Sequence, residues 1–182
     1  MVDLKRIHHV AYRCNDAKET AQFYKEMLNM ELTVSISEDK VPSTGEPDPY
    51  MHIFLDAGMG NVLAFFELTG QEQMGRDNNT PTWVQHIAFE VENIEALENA
   101  KNHLVSKGVD VLGITNHGIF KSIYFFDPNG HRIELASNVG TKEQMDELKK
   151  IAPEMLEEWS KTKKPPKAAA WLHDENFLNK GK

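Results

Sequence analysis

The chain has 182 residues, of which 40% are hydrophobic and 26% are charged, and its formal net charge at pH 7 is −8. This length and composition are typical of one globular domain and exclude the disordered and fibrous classes. The acidic balance argues against nucleic acid as a partner, because duplex binding depends on neutralising phosphates with Lys and Arg. No apolar run in the sequence is long enough to span a bilayer, and the first residues lack the apolar core of a secretory signal. We expect a cytoplasmic protein whose partner is a small molecule.

The chain up to Leu68 is predicted to form a strand, a helix and three further strands. Ile7–Cys14 alternates in hydrophobicity as a half-buried strand does, and Asp16 is a good N-cap for an amphipathic helix that ends near Leu28. Apolar runs separated by turn residues then indicate strands at Glu31–Ser37, Met51–Leu55 and Val62–Leu68. The order of elements is βαβββ.

The same order is predicted a second time. The strand is Val84–Val91, the helix is Ile94–Lys107, and the remaining strands are Val109–Ile114, Ser122–Phe126 and Arg132–Ala136. We therefore expect an α+β fold in which paired βαβββ modules, at about residues 5–68 and 83–138, form a cupped mixed sheet within a domain of residues 1–140. Residues 141–182 are predicted to be a helical extension and tail, with helical patterns at Lys142–Ile151, at about Glu154–Trp159 and at Ala168–Phe177.

Four side chains of the kind that bind metals fall in matching strands of the two modules. His9 and His86 lie in the first strands, and Glu67 and Glu134 lie in the last strands. Imidazole and carboxylate ligands suit Fe, Zn, Ni and Mn. A histidine in a strand is more often an ordinary hydrogen-bonded side chain, however, so the spacing alone leaves both interpretations open.

Three segments together resemble the vicinal oxygen chelate superfamily, which includes glyoxalase I, extradiol dioxygenases, methylmalonyl-CoA epimerase and fosfomycin-resistance enzymes. The segments are His9–Arg13 (HVAYR), Gln85–Ala88 (QHIA) and Asp127–Leu135 (DPNGHRIEL), and the resemblance covers about residues 5–138. It implies that the cup encloses one divalent metal ion, with His9, His86 and Glu134 as its ligands. His8, next to His9, is expected to point to the opposite face of the strand.

The segment from His117 to Phe125 (HGIFKSIYF) looks like the stretch of extradiol dioxygenases that leads into the last metal ligand. Tyr124 lies ten residues before Glu134, which matches the active-site tyrosine of those enzymes. The resemblance therefore implies His117 as a proton carrier, Tyr124 as a second catalytic residue and Fe(II) as the metal. Our leading expectation is an oxidoreductase, a ring-cleaving dioxygenase that acts on a catechol-like molecule.

Two other functions stay open at this point. Glu67 matches the extra carboxylate ligand of glyoxalase I, and Arg13 matches the arginine that holds the glutathione carboxylate in glyoxalases. Both matches favour a lyase or an epimerase, in which Zn, Ni, Co or Mn stabilises an enediolate, Glu67 carries the proton and Arg13 binds the substrate. A solvent-facing Glu67 and a locally paired Arg13 are the ordinary alternatives. Some members of the superfamily bind small molecules without turnover, and a resistance protein of that kind is the third possibility.

Three further expectations concern single features. Cys14, the only cysteine, is expected to be a core thiol. His131 lies in the turn between the last two strands and is expected to face solvent. The apolar residues of Ala168–Phe177 need a surface on which to be buried, and many compact members of the resembled family complete their cup across a subunit boundary. We therefore expect a homodimer.

Overall fold

The computed structural model describes residues 4–75 and 77–165. Within these residues the elements follow in the order β1 (Val10–Cys14), α1 (Ala17–Leu28), β2 (Leu32–Lys40), β3 (Pro47–Asp56), β4 (Val62–Leu68), β5 (Ile87–Glu90), α2 (Ile94–Ser106), β6 (Leu112–Asn116), β7 (Phe120–Phe126), β8 (Arg132–Asn138) and α3 (Lys142–Thr162). The strands and helices of both predicted modules are present, and the boundaries of β4 agree with the prediction.

The first module forms a four-stranded sheet in the order β1-β4-β3-β2. Strands β1 and β4 are parallel, whereas the other neighbouring pairs are antiparallel. Helix α1 begins as predicted, because the Asp16 side chain accepts a hydrogen bond from the Glu19 N–H. One face of the sheet carries the buried core of this module, in which Tyr24, Leu55 and Phe65 are fully buried.

The second module forms its own four-stranded sheet in the order β5-β8-β7-β6. Helix α2 starts at Asn93, whose side chain accepts a hydrogen bond from the Ala96 N–H. Leu97, Leu104 and Ile123 are fully buried and belong to its core. Two sheets with the same strand order confirm the predicted α+β fold of paired βαβββ modules.

Clustering of the described residues divides the chain into two compact units. The first extends to His86 and also includes Phe126–Ile133, while the second consists of Ile87–Phe125 and the chain from Glu134 onward. The turn between β7 and β8 therefore belongs to the first unit, although most residues of both strands belong to the second.

Hydrogen bonds fix this turn to β1 and α1. The Asn129 amide group donates to Thr20 Oγ1 (3.0 Å), and its oxygen accepts from the Asn15 N–H (2.8 Å). The His131 Nε2 lies 2.7 Å from the Arg13 carbonyl oxygen, to which it donates. His131 is therefore partly buried, and the expectation that it faces solvent was wrong. The local sequence shows only a hairpin turn, whereas the burial results from packing against a strand that is distant in sequence.

The C-terminal extension also differs from the prediction. Residues Lys142–Thr162 form one continuous helix with Pro153 inside it, instead of two helices. Proline removes one backbone donor and strains the preceding turn, but the residues on either side can still form the remaining bonds. Thr141 and Gln144 make a reciprocal capping box at the start of this helix. The expected element at Ala168–Phe177 lies outside the described residues. Among the helices that are described, none has the length and apolar character that crossing a membrane requires.

Candidate metal and substrate site

His9 directly precedes β1 and lies beside two aromatic rings of β3. Its ring centroid is 5.9 Å from that of Phe54 and 6.4 Å from that of His52. The Nδ1 atoms of His8 and His9 are 2.8 Å apart, so one ring donates a hydrogen bond to the other. The expectation that His8 points away from His9 was wrong, because both residues precede the strand and the alternation of strand side chains does not apply to them.

His52 belongs to this environment but was missed in the sequence. Its ring is stacked on Phe66, with centroids 3.6 Å apart and planes inclined by 18°. Its Nε2 atom is buried and has no hydrogen-bond partner among the described residues. Burial, and to a smaller extent the charge of His9, lower the pKa of His52. Tyr50, His52 and Phe54 are two residues apart along β3 and therefore share one face, and this spacing is the signal by which His52 could have been found in the sequence.

His86 directly precedes β5, as His9 precedes β1. Its Nδ1 lies 3.0 Å from the Val84 carbonyl oxygen. Since a carbonyl only accepts, Nδ1 carries the proton, and in the neutral imidazole the lone pair resides on Nε2. A backbone carbonyl that fixes the tautomer in this way is a common feature of histidines that bind metals through Nε2.

Glu134 is the third residue of β8 and its side chain is buried, with 3% exposed. Its Oε1 accepts hydrogen bonds from the Ser122 hydroxyl and from the Tyr124 hydroxyl, the latter at 3.1 Å. His117 Nε2 lies 2.8 Å from the same Tyr124 oxygen. Because the Tyr124 proton is directed at Glu134, the tyrosine oxygen accepts from His117. The structure thus joins three predicted site residues, His117, Tyr124 and Glu134, by hydrogen bonds and adds Ser122 to them. Ser122 lies two residues before Tyr124 on β7 and therefore on the same face of the strand, a signal that was present in the sequence.

Glu67 does not occupy the position in its strand that Glu134 occupies in β8. It is the sixth residue of β4, it pairs with Cys14, and its Oε2 accepts a hydrogen bond of 2.7 Å from the Ala17 N–H. A carboxylate at the first turn of a helix satisfies a backbone donor there and interacts favourably with the helix dipole. Glu67 is therefore engaged with the start of α1.

Arg13, the predicted substrate-binding residue, lies next to Phe66 in the register of β1 and β4. One terminal nitrogen of its guanidinium donates to the Glu72 carbonyl oxygen. Its Nε atom is buried and has no hydrogen-bond partner within residues 4–75 and 77–165. The guanidinium is thus held at one end by backbone.

The predicted ligands are distributed over both units, with His9 and His86 in the first and Glu134 in the second. The part of the chain that the structure describes contains no group of three His, Cys, Asp or Glu side chains that is ready to hold a metal ion. The donor atoms of His9, His86 and Glu134 nevertheless suit a divalent cation, because imidazole nitrogens and a carboxylate are its common ligands. Metal ligands in proteins are commonly oriented by such hydrogen bonds, as His86 is by the Val84 carbonyl and Glu134 is by two hydroxyl groups.

The fold is of the paired βαβββ class, and each module has a histidine directly before its first strand. The model of the Glyoxalase/Bleomycin resistance protein/Dioxygenase superfamily matches residues 6–135, and the chain belongs to this superfamily.

Two curated relatives and one solved structure describe the similarity further. The metallothiol transferase FosB of Shouchella clausii is 32% identical over 141 residues, which are 69% of this chain and 89% of FosB. MhqA of Bacillus subtilis, named as a ring-cleaving dioxygenase, is 28% identical over 99 residues, which are 53% of this chain but 31% of MhqA. FosX of Listeria monocytogenes, solved as a mutant with Mn(II) and a dihydroxypropylphosphonic acid, has a TM-score of 0.54 at 22% identity and covers 79% of this chain and 98% of that one. The last comparison supports the fold.

Proposed function

We propose that this protein is a metal-dependent enzyme that holds one divalent cation with His9, His86 and Glu134 and binds a small molecule beside it. The names of its relatives support a metal, since one is a metallothiol transferase and FosX was solved with Mn(II). The tautomer of His86 and the two hydrogen bonds to Glu134 support these residues as ligands. The cation would supply a positive charge that binds two neighbouring oxygens of a substrate and favours their ionised form.

The reaction that we propose is oxygen-dependent ring cleavage of a catechol-like diol. The observation that carries it is the hydrogen-bonded chain from His117 through Tyr124 to Glu134. A diol that binds as an anion must release a proton, and an imidazole within 2.8 Å of a phenol provides a place for it. Tyr124 would orient the diol. Because Nε2 of His117 already donates to Tyr124, His117 would take up the proton at Nδ1 and return it to the product.

Glu67 supports the choice of an oxygenase over a lyase. The lyase interpretation needs Glu67 as an extra metal ligand and proton carrier, whereas its carboxylate is hydrogen-bonded to the Ala17 N–H. Without Glu67, the ligand set consists of two histidines and one carboxylate. Such a set with open positions is typical of iron(II) oxygenases, so we propose Fe(II) as the metal, with Mn, Zn, Ni and Co as competitors.

A second candidate is transfer of a low-molecular-weight thiol to a small electrophile. The likeness to FosB, which extends over 89% of that protein, favours it. In this reaction the thiol sulfur would form a bond to an electrophilic carbon, for example of an epoxide, and the opened ring oxygen would take up the proton that the thiol released. His117 and Tyr124 could handle that proton as well, so the hydrogen-bonded chain does not separate the two reactions.

The experiment compares both reactions in the same preparations. Full-length protein is reconstituted with Fe(II), Mn(II) or Zn(II), and oxygen uptake with a catechol panel is measured beside thiol loss with an epoxide panel. We expect one O₂ consumed per ring cleaved, in the Fe(II) form. Thiol consumption that continues without oxygen would instead favour the second candidate.

Ligand variants test the metal site separately from the reaction. His9→Ala and His86→Ala should each lose most of the bound metal, because removing one imidazole from three protein donors leaves too few. His103→Ala is the matched control, since His103 is an exposed histidine of α2. Metal content that stays unchanged in both ligand variants would overturn the site.

A further inference from the structure

His8 and His9 form a hydrogen bond between their side chains just before β1. The two Nδ1 atoms are 2.8 Å apart, and the ring planes are inclined by 76°. Both residues are exposed, and neither belongs to the strand that follows. One proposed metal ligand is therefore in direct contact with a second imidazole that the ligand set does not use.

The two rings face each other through these nitrogens. Their centroids are 5.1 Å apart. In a five-membered ring whose bonds are about 1.33 Å long, each atom lies about 1.1 Å from the centroid. The centroid distance is therefore as long as an N···N distance of 2.8 Å allows, so both nitrogens lie on the line between the centroids. Two lone pairs that converged on one shared cation would bring the centroids closer together than this.

This arrangement requires one proton between the two nitrogens. Two unprotonated nitrogens would repel each other through their lone pairs, and two N–H groups would bring their protons into contact. A neutral imidazole carries a proton on only one of its nitrogens. The ring that donates from Nδ1 therefore has its lone pair on Nε2, whereas the ring that accepts at Nδ1 has its proton on Nε2. The tautomers of His8 and His9 are thus opposite.

The second module indicates which of the two rings donates. His86 precedes β5 as His9 precedes β1, and its Nδ1 donates to the Val84 carbonyl oxygen at 3.0 Å. Both histidines of the proposed ligand set thus have a partner at Nδ1 that a residue one or two positions earlier in the chain supplies. A carbonyl oxygen can only accept. If His8 serves the same purpose for His9, it must accept as well.

We propose that His8 is a positioning residue for the metal, because its Nδ1 accepts the proton of His9 Nδ1 and so leaves the His9 lone pair on Nε2 for the cation. Partners of this kind fix the ring and the tautomer of metal-binding histidines. The inference rests on the proposed function and deepens it. Coordination at Nε2 withdraws electron density from His9 and makes its Nδ1–H a stronger donor, so metal binding favours this direction of the hydrogen bond.

NMR of the imidazole nitrogens in isotope-labelled full-length protein tests the direction of the bond. Spectra are recorded with and without Zn(II), which is diamagnetic. In the Zn(II) form we expect a proton on His9 Nδ1, no proton on His8 Nδ1, and a scalar coupling between the two nitrogens across the hydrogen bond. The inference is wrong if the proton is on His8 Nδ1 instead, or if Zn(II) is bound at either Nδ1.

Variants measure what the bond contributes to metal binding. His8→Ala removes the acceptor and should weaken Zn(II) affinity by about tenfold, the lower end of the usual effect for a residue that orients a ligand, because the pair is exposed. Asn can place an oxygen close to the position of the His Nδ1, so His8→Asn should keep most of the affinity. Ile7→Ala is the control, since Ile7 is 63% exposed in the same segment. Competition with a chelator at a single pH measures the affinity.

The outcomes distinguish the inference from the function on which it rests. Wild-type affinity in His8→Ala, or an equal loss in His8→Ala, His8→Asn and Ile7→Ala, overturns the role of His8 and leaves the metal site standing. Wild-type protein that takes up no divalent metal overturns the proposed function and the role of His8 with it.

Discussion

The hydroxyl of Tyr24 in α1 donates a hydrogen bond of 3.1 Å to the carboxylate of Asp127, which lies 103 residues further along the chain. Both side chains are buried, Tyr24 completely and Asp127 with 5% of its surface exposed. The Asp127 carboxylate also accepts from the backbone N–H groups of Asn129 and His131. Burial, followed by the charge of Asp127, raises the pKa of Tyr24 well above its ordinary value, so the phenol stays a donor.

Replacing Tyr24 by Phe should lower the free energy of unfolding by about 1–3 kcal/mol, because it leaves a buried carboxylate with one donor fewer. Urea denaturation followed by circular dichroism measures this loss. Tyr50→Phe is the control, since the Tyr50 hydroxyl makes a longer bond of 3.3 Å to Glu38, an exposed residue, and should cost less. Equal losses in the two variants would contradict the special role of the bond between Tyr24 and Asp127.

Cys14 is predicted to be unreactive in the folded protein. The thiol is buried, with 1% exposed, and burial is the main cause that raises its pKa from 9.0 to about 11. The folded state therefore binds the proton more tightly than the unfolded state, and this contribution to stability is present below pH 9 and is lost as the pH rises towards 11. Alkylation by iodoacetamide at pH 8 should be slow until urea unfolds the chain. Fast alkylation of native protein would show that the thiol is accessible.

Ser122 and Tyr124 should tune the metal site without being ligands. Both donate to Oε1 of Glu134 and so fix the carboxylate that is proposed to bind the cation. Ser122→Ala and Tyr124→Phe are each expected to weaken metal affinity by roughly 10- to 100-fold, the usual effect of losing a residue that orients a ligand. Competition with a fluorescent chelator measures the affinity. Thr33→Ala on β2, an exposed residue of the other sheet, is the control, and unchanged affinity in both test variants would exclude this role.

Glu67 offers a matched pair of substitutions. Gln keeps an oxygen that can accept from the Ala17 N–H, whereas Ala removes it. Glu67→Ala should therefore cost about 0.5–2 kcal/mol of stability, as the loss of a helix cap does, and Glu67→Gln should cost less. Both should retain metal and oxygen-dependent activity under the proposed function. Loss of metal in the Gln variant, with folding intact, would return Glu67 to the ligand set and favour a lyase.

A homodimer remains our proposal for the assembly, and α3 suggests where to test it. No residue of this 21-residue helix is buried, and Leu156 and Trp159 are 70% and 45% exposed. Apolar side chains along an exposed helix are typical of a surface that a second copy covers. Sedimentation should give a dimer, and Trp159→Glu should shift it towards monomer. A wild-type monomer at all concentrations would contradict the proposal.

Much of the fold follows from local chemistry in the sequence. Asp16 starts α1, Val62–Leu68 is a strand with the predicted ends, and the βαβββ order appears twice because short-range periodicity and capping act within a few residues. The two histidines and two glutamates in matching strands were also evident in the sequence. The family resemblance named Tyr124 as a site residue, and its hydrogen bond to Glu134 was found only in the structure.

Tertiary structure alone decided what several polar residues do. Glu67 and Glu134 look equivalent in sequence, yet one carboxylate binds the start of a helix and the other accepts from two hydroxyls of a neighbouring strand. His131 is partly buried against β1, and the register of β3 and β4 places His52 near His9. Pattern within a strand determines which face a side chain takes, whereas its partners come from strands and helices that are distant in the chain, and only folding brings those together.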